Sequence, residues 1–219
     1  MRWLLLLLAA VGLTAAAPRD WTRTVSRTPA GAFVIGNPAA RVKLVEYLSY
    51  VCPHCAAFTR ESGPTLRNQW VRSGSTSVEV RNAANGALDL AAAMLARCSG
   101  PRFAAVSDAI FAAQPQWFER GAEYGEDNDA RLNLYPPLAR VRALADGSGL
   151  TDLARAQGVS PQAIDACFAT DADLNRIVAM TGEADRVIAG TPSFSINGKF
   201  VGSATWASLE PQLRAGGAR

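Results

Sequence analysis

Histidine is almost absent from this chain: its 219 residues contain one, His54. Cysteine is scarce too, with four. A structural zinc site normally needs a second C-x-x-C or paired histidines, and neither is present. Four cysteines are also too few for a disulfide-stapled scaffold of this length. Excess charge is missing: the net charge is +3. No Lys/Arg run with interleaved aromatics occurs, which argues against nucleic acid as the main partner. Beyond Asp20 no apolar run is long enough to span a bilayer. Hydrophobic residues still make up 49% of the chain, so it is not disordered. Its length suits one domain with a sizeable core, or one domain carrying a large insertion.

The N-terminus reads as a targeting signal over residues 1–17. Arg2 supplies charge, Trp3 to Leu13 an apolar run, and Thr14-Ala15-Ala16-Ala17 a small-residue cleavage region. Cleavage is expected after Ala16 or Ala17; the alternative is an uncleaved anchor. Export changes how the cysteines are read, because thiols outside the cytosol tend to be oxidised.

Trp21 to Ala30 looks like an irregular lead-in. Ala32 to Ile35 reads as a short strand and Val42 to Tyr50 as a longer, central one. Alternation puts Val42, Leu44, Glu46 and Leu48 on one face, so Glu46 is an acid on an otherwise apolar face. Pro53 then fits the first turn of a helix reaching about Trp70, bent near Pro64. Ser77 to Arg81 is the next strand, followed by helices over Leu88 to Cys98 and Phe103 to Ala112. From Gln114 to about Gly147 the chain reads as looser, with "GAEYGEDND" its most loop-like part. Helices are expected over Leu150 to Ala156, after a Ser160 cap with Pro161 in the first turn, and over Asp171 to Ile188. The last has an apolar stripe of Leu174, Ile177, Val178, Thr181, Ala184 and Ile188. Strands Ser193 to Ile196 and Lys199 to Val201 flank Asn197-Gly198, a strong hairpin signal. A helix from Thr205 to Leu213 closes the chain. This order implies an α/β fold: a mixed central sheet flanked by helices, with an inserted helical block over about 84–170.

The residues with chemistry to offer sit in "VCPHC", where His54 lies between two of the four cysteines. The stretch could be half of a zinc site, an inert disulfide or a reactive dithiol. The strand-to-helix setting favours the last. Cys52 falls at a helix N-terminus, where free N–H groups and the helix dipole favour a thiolate, the nucleophilic form. Cys55 lies one turn on, close enough to bond Cys52, and its deeper position suits a resolving thiol. His54 can donate to, or charge against, the Cys52 thiolate. A stabilised thiolate makes the disulfide a better oxidant.

Gly190-Thr191-Pro192 is the second feature. A proline entering a strand is awkward unless the strand is an edge or the bond is cis. A cis bond would expose backbone groups with which an extended peptide could pair; an ordinary trans proline before an edge strand is the alternative. Cys98 and Cys167 lie on apolar helical faces, either as two buried free thiols or, as export favours, as a structural disulfide.

With "VEYLSYVCPHC" and "GTPSFSINGKFVG" in view, the chain from about Gly31 onward resembles the DsbA-like thiol–disulfide oxidoreductases of the bacterial periplasm. That resemblance implies a thioredoxin-like fold with inserted helices. It implies that Cys52 attacks, Cys55 resolves, and Pro53 and His54 tune the potential. Pro192 matches the family's cis-proline and Thr191 the residue before it that faces the dithiol. Glu46 resembles an acid beneath the site that moves protons from the buried cysteine, and a buried carboxylate should have a raised pKa; a strand acid reaching solvent is the alternative. No organic cofactor and no metal are implied. The implied activity is disulfide formation in exported proteins by a periplasmic monomer that a quinone-linked membrane partner re-oxidises. Threonine before the proline is common in related isomerases and reductases, which keeps those open as alternatives. The absence of an isomerase-type dimerisation domain favours the oxidase. From another class, C-P-H-C could hold Cu(I) or Zn(II) in a metal-binding module.

Overall fold

In a computed structural model describing residues 19–219, a six-stranded mixed sheet carries helices on both faces. The expected signal over residues 1–17 lies outside the described residues. The strands are β1 (Val25–Arg27), β2 (Phe33–Gly36), β3 (Val42–Leu48), β4 (Thr76–Asn82), β5 (Ser193–Ile196) and β6 (Lys199–Ser203). Their order is β1-β2-β4-β3-β5-β6. Only β3 and β4 run parallel, so the chain between them crosses over through α1 (Pro53–Ser62). The thioredoxin-like architecture expected from the resemblance is present.

The central strand behaves as its alternation requires. Val42, Leu44, Glu46 and Leu48 are buried on one face. In register, Glu46 lies between Val80 of β4 and Phe194 of β5. Phe194 meets Phe58 of α1 at 4.5 Å between ring centroids, so α1 covers the face that carries Glu46. On the opposite face Tyr47 packs with Ala83 and with Ala184 of α9 (Ala172–Ala184).

Between β4 and α9 come α2 (Gly86–Cys98), α3 (Phe103–Ala112), α4 (Gln114–Asp127), α5 (Asp129–Leu132), α6 (Pro137–Gly147), α7 (Leu150–Ala156) and α8 (Pro161–Cys167). α8 has the expected cap, Ser160 Oγ accepting from the Ala163 N–H at 3.1 Å. The hairpin turn is also as expected: Asn197 (φ 50°) and Gly198 (φ 81°) supply the two left-handed residues of a two-residue loop. α10 (Trp206–Ala215) follows, with Thr205 as its N-cap. No helix among the described residues is long and apolar enough to cross a membrane.

Four expectations are corrected. The lead-in is not irregular: it forms a short helical turn, Trp21–Arg23, and β1, which pairs antiparallel with β2. Three residues cannot signal a strand by themselves, so the neighbouring edge decides. The helix after Cys52 does bend near Pro64 as expected, α1 ending at Ser62 and the chain continuing as a π-helix over Leu66–Val71. The segment after Gln114 is helical: Pro115 opens α4, and Gln114, Trp117 and Gly121 bury one narrow stripe of a polar helix. Val178 is not on the buried stripe of α9; it is 53% exposed. Leu174, Ile177 and Ala184 are buried as expected, and Met180 takes the place of Val178. α9 stops at Ala184, short of Ile188.

Candidate active site

β3 delivers the chain into a turn, Ser49 to Cys52, closed by the Cys52 N–H donating to the Ser49 carbonyl at 3.3 Å. Cys52 is the N-cap of α1, with Pro53 in the first helical turn. Its side chain offers no cap to the helix; the free N–H groups there are left to meet its sulfur. Cys52 is half-buried, Cys55 is buried, and both are free thiols. The Cys52 thiol donates to the carbonyl of Thr191, 139 residues away, at 3.2 Å. The Thr191-Pro192 peptide bond is cis and enters β5.

The two thiols are driven apart in acidity. Cys52 is lowered to about 4. The main cause is the Cys55 thiol donating to its sulfur. Burial opposes this; the Thr191 side chain and the main-chain N–H groups of Cys55 and His54 add to it. Thr191 thus faces the sulfur with its main-chain carbonyl, which accepts from Cys52 while the thiol is protonated. Cys55 is pushed far up, by that same hydrogen bond, by burial, and by the nearby charges of Glu46 and Cys52. A thiolate and its proton-bearing neighbour share one hydrogen bond.

His54 follows Pro53 in the first turn of α1. Its ring is exposed, and no hydrogen bond joins the imidazole to Cys52 among the described residues. Its influence on the sulfur comes through its main-chain N–H. Pro53 is exposed beside it.

Glu46 is 6% exposed and its Oε1 has no hydrogen-bond partner among the described residues. Burial pushes its carboxyl up to about 7; the Arg67 guanidinium pulls it down and Asp108 pushes it further up. Arg67 and Asp108 pair at 3.0 Å and line, with Glu46, Pro53 and Gln114, a cavity of about 640 Å³ under α1. A second hollow, about 660 Å³, lies between His54, Phe58, Thr191, Pro192 and Trp206, and Cys52 itself lines another of about 550 Å³ with Ser49, Ala84 and Thr191.

Sequence reading missed two residues that touch the Cys52 turn. Asp89 of α2 is buried and accepts from the Ser49 hydroxyl (2.5 Å), the Tyr50 N–H (2.8 Å) and the Asn85 N–H (2.8 Å). Burial pushes its carboxyl up to about 6 against those three donors. Gln114 of α4 donates from Nε2 to the carbonyls of Tyr50 (2.7 Å) and Cys52 (2.9 Å). The one available signal was Asp89 itself, an acid inside the otherwise apolar run "LDLAAAML". Cys98 and Cys167 are bonded, joining the ends of α2 and α8 with Cα atoms 5.5 Å apart. No group of three or more His, Cys, Asp or Glu side chains placed to hold a metal occurs among the described residues.

Comparison with known proteins places this geometry. The thioredoxin family model matches residues 28–215. The crystal structure of a protein-disulfide isomerase from Novosphingobium aromaticivorans is 35% identical, with a TM-score of 0.74, covering 83% of this chain and 95% of that one. Wolbachia pipientis alpha-DsbA1, at 20% identity and a TM-score of 0.64, shares the fold over 93% of both chains. A Rickettsia typhi protein, provisionally named a protein-disulfide oxidoreductase, is 31% identical over 170 residues, which is 75% of this chain and 54% of the relative. The chain thus spans about half the length of the curated relatives it matches.

Proposed function

Since the chain belongs to the thioredoxin family and has the fold of the DsbA-like oxidoreductases, we propose that it is an exported oxidase that introduces disulfide bonds into other exported proteins. The carrying observation is the split between the cysteines: Cys52, half-buried and lowered to about 4, beside a buried Cys55 pushed the other way.

In this reading the resting enzyme holds a Cys52–Cys55 disulfide. A substrate thiolate attacks the Cys52 sulfur. The new substrate–Cys52 bond forms as Cys55 leaves as a thiolate and takes a proton. A second substrate thiolate then attacks the substrate sulfur of that mixed disulfide and expels Cys52. The substrate loses two electrons and gains a disulfide; the enzyme is left with a dithiol whose Cys52 remains ionised at neutral pH. A sulfur whose pKa is low is a good leaving group, which favours this direction.

Burial of Glu46 between Val80 and Phe194, which raises its carboxyl to about 7, supports a role for it in supplying or accepting the Cys55 proton. Thr191 and Pro192 line the hollow beside His54, and Thr191 also lines the one that Cys52 borders; the two residues would hold the substrate as an extended peptide. Turnover needs a membrane partner, quinone-linked, to remove the two electrons. The periplasm is the compartment that suits this chemistry, and a monomer acting on unfolded or reduced proteins, with no nucleic acid, is the working form.

A second reading, isomerase or reductase on the same dithiol, is favoured by one observation: the 35% identical neighbour is named a protein-disulfide isomerase. A copper- or zinc-binding module would have only this dithiol and His54 to offer. Equilibration with glutathione buffers separates the first two. A potential near or above about −150 mV supports the oxidase, and a value near about −250 mV replaces it with the reductase or isomerase. Metal titration of the reduced protein tests the third; binding weaker than micromolar ends it.

A further inference from the structure

The turn that carries Cys52 is held from outside the sheet, by the helical block. Three successive helices each contribute one group. Asp89 of α2 accepts from the Ser49 hydroxyl and the Tyr50 N–H. Ser107 of α3 accepts from the Tyr50 hydroxyl at 3.0 Å. Gln114 of α4 donates to the carbonyls of Tyr50 and Cys52. All these groups are buried or nearly so: Asp89 is 1% exposed, Ser107 4% and Gln114 7%. A polar side chain at that depth is retained only where its hydrogen bonds are made.

Gln114 is the most telling of the three. One amide nitrogen uses its two protons on two carbonyls of the turn, Tyr50 and Cys52, separated by one residue. The Cys52 carbonyl also accepts from the Ala56 N–H, 3.3 Å, in the first turn of α1. Gln114 therefore ties the turn to the start of the helix whose N–H groups address the Cys52 sulfur. Toward the start of the turn, Asp89 holds the Ser49 hydroxyl and the Tyr50 N–H.

We propose that Gln114, with Asp89 as its counterpart at the other end of the turn, is a positioning residue that sets the redox potential of the dithiol. It does so by fixing the Cys52 turn against the first turn of α1. The helical block is then part of the redox machinery as well as a wall of the molecule. A thiolate stabilised by aligned donors depends on their alignment: donors that swing lose strength steeply with angle. This inference rests on the thiol chemistry assigned above to Cys52.

The test uses the full mature chain. Gln114→Met keeps the length of the side chain and removes both donors. Gln114→His keeps one, since an imidazole Nε2–H can occupy the position of the amide nitrogen. Thiolate absorbance of the reduced protein against pH reads the Cys52 titration, and glutathione buffers read the equilibrium with the disulfide. Gln114→Met should raise the Cys52 midpoint by about one pH unit and weaken the protein as an oxidant by about tenfold in that equilibrium constant. Gln114→His should shift both by less. Unchanged values in folded Gln114→Met overturn the proposal; should that variant not fold, unchanged values in Gln114→His do so. If the wild-type protein itself shows no acidic thiol and no exchange with glutathione, the assignment to Cys52 fails instead, and the two failures are told apart.

Discussion

Glu46→Gln isolates the cost of a buried carboxylate. The Glu46 carboxyl is raised from 4.5 to about 7, chiefly by burial. One unit is worth 1.36 kcal/mol, so holding Glu46 ionised costs the fold on the order of 3 kcal/mol. The sign follows from proton binding. Below pH 4.5 the carboxyl is protonated whether the chain is folded or not, and nothing is lost. Between 4.5 and 7 the unfolded chain releases its proton first, so stability falls as pH rises. Above pH 7 the cost levels off. Glutamine has nearly the same shape and does not titrate. The variant should therefore match wild type within about 1 kcal/mol at pH 4 and exceed it by about 3 kcal/mol at pH 8, or about 6–12 °C in Tm for a chain of this size. The assay is urea unfolding of matched samples, with both cysteine pairs reduced, at the two pH values. Titrating groups that do not feel Glu46 cancel in the difference between the two proteins, and its coupling to Asp108 and Cys55 is part of what the difference reads. A difference that is the same at both pH values would refute the reasoning and return Glu46 to the status of a strand acid reaching water.

The dithiol gives a kinetic prediction: alkylation of Cys52 in the reduced protein should have a midpoint near pH 4, where an ordinary thiol titrates near 8.5. A midpoint above pH 7 contradicts the described geometry. Cys52→Ser should abolish disulfide exchange, whereas Cys55→Ser should accumulate mixed disulfides with reduced substrates, visible as adducts on non-reducing gels. Cys98→Ala with Cys167→Ala opens a loop with a sequence separation of 69 and should cost about 4 kcal/mol by chain entropy. Because this bond lies away from the Cys52 turn, the glutathione equilibrium of the dithiol should stay within twofold; a larger shift would place the bond in the redox site. Asp173→Ala strips the partner from Arg97, 1% exposed and paired at 2.8 Å, and should destabilise the protein by about 3 kcal/mol or more; denaturant melts check it, and a loss below 1 kcal/mol would mean that Phe33 and the Gly31 carbonyl hold the guanidinium adequately.

Contiguous residues made much of this legible. The period of two along Val42–Leu48, the Pro53 start of α1, the Ser160 cap and the Asn197-Gly198 turn each act over fewer than ten residues, and each appears where the sequence places it. The errors share a cause. β1 exists because β2 offers it an edge, and α4 is helical although its exposed face reads as loop. Neither fact is local. The direction in which His54 faces is likewise not local: in the first turn of α1 its ring is exposed, while its main-chain N–H favours the Cys52 thiolate.

The sequence by itself determined that two cysteines stand at a strand-to-helix junction and that a proline-led hairpin ends the sheet, because capping and strand period are properties of short runs. Only the tertiary structure decided what surrounds the sulfur. It brought Thr191 to Cys52 across 139 residues, buried Glu46 between Val80 and Phe194, and drew Asp89 and Gln114 onto the turn. The physical reason is that acidity and hydrogen bonding depend on distance and burial. Those are set by packing between segments far apart in the chain, and no local pattern carries them.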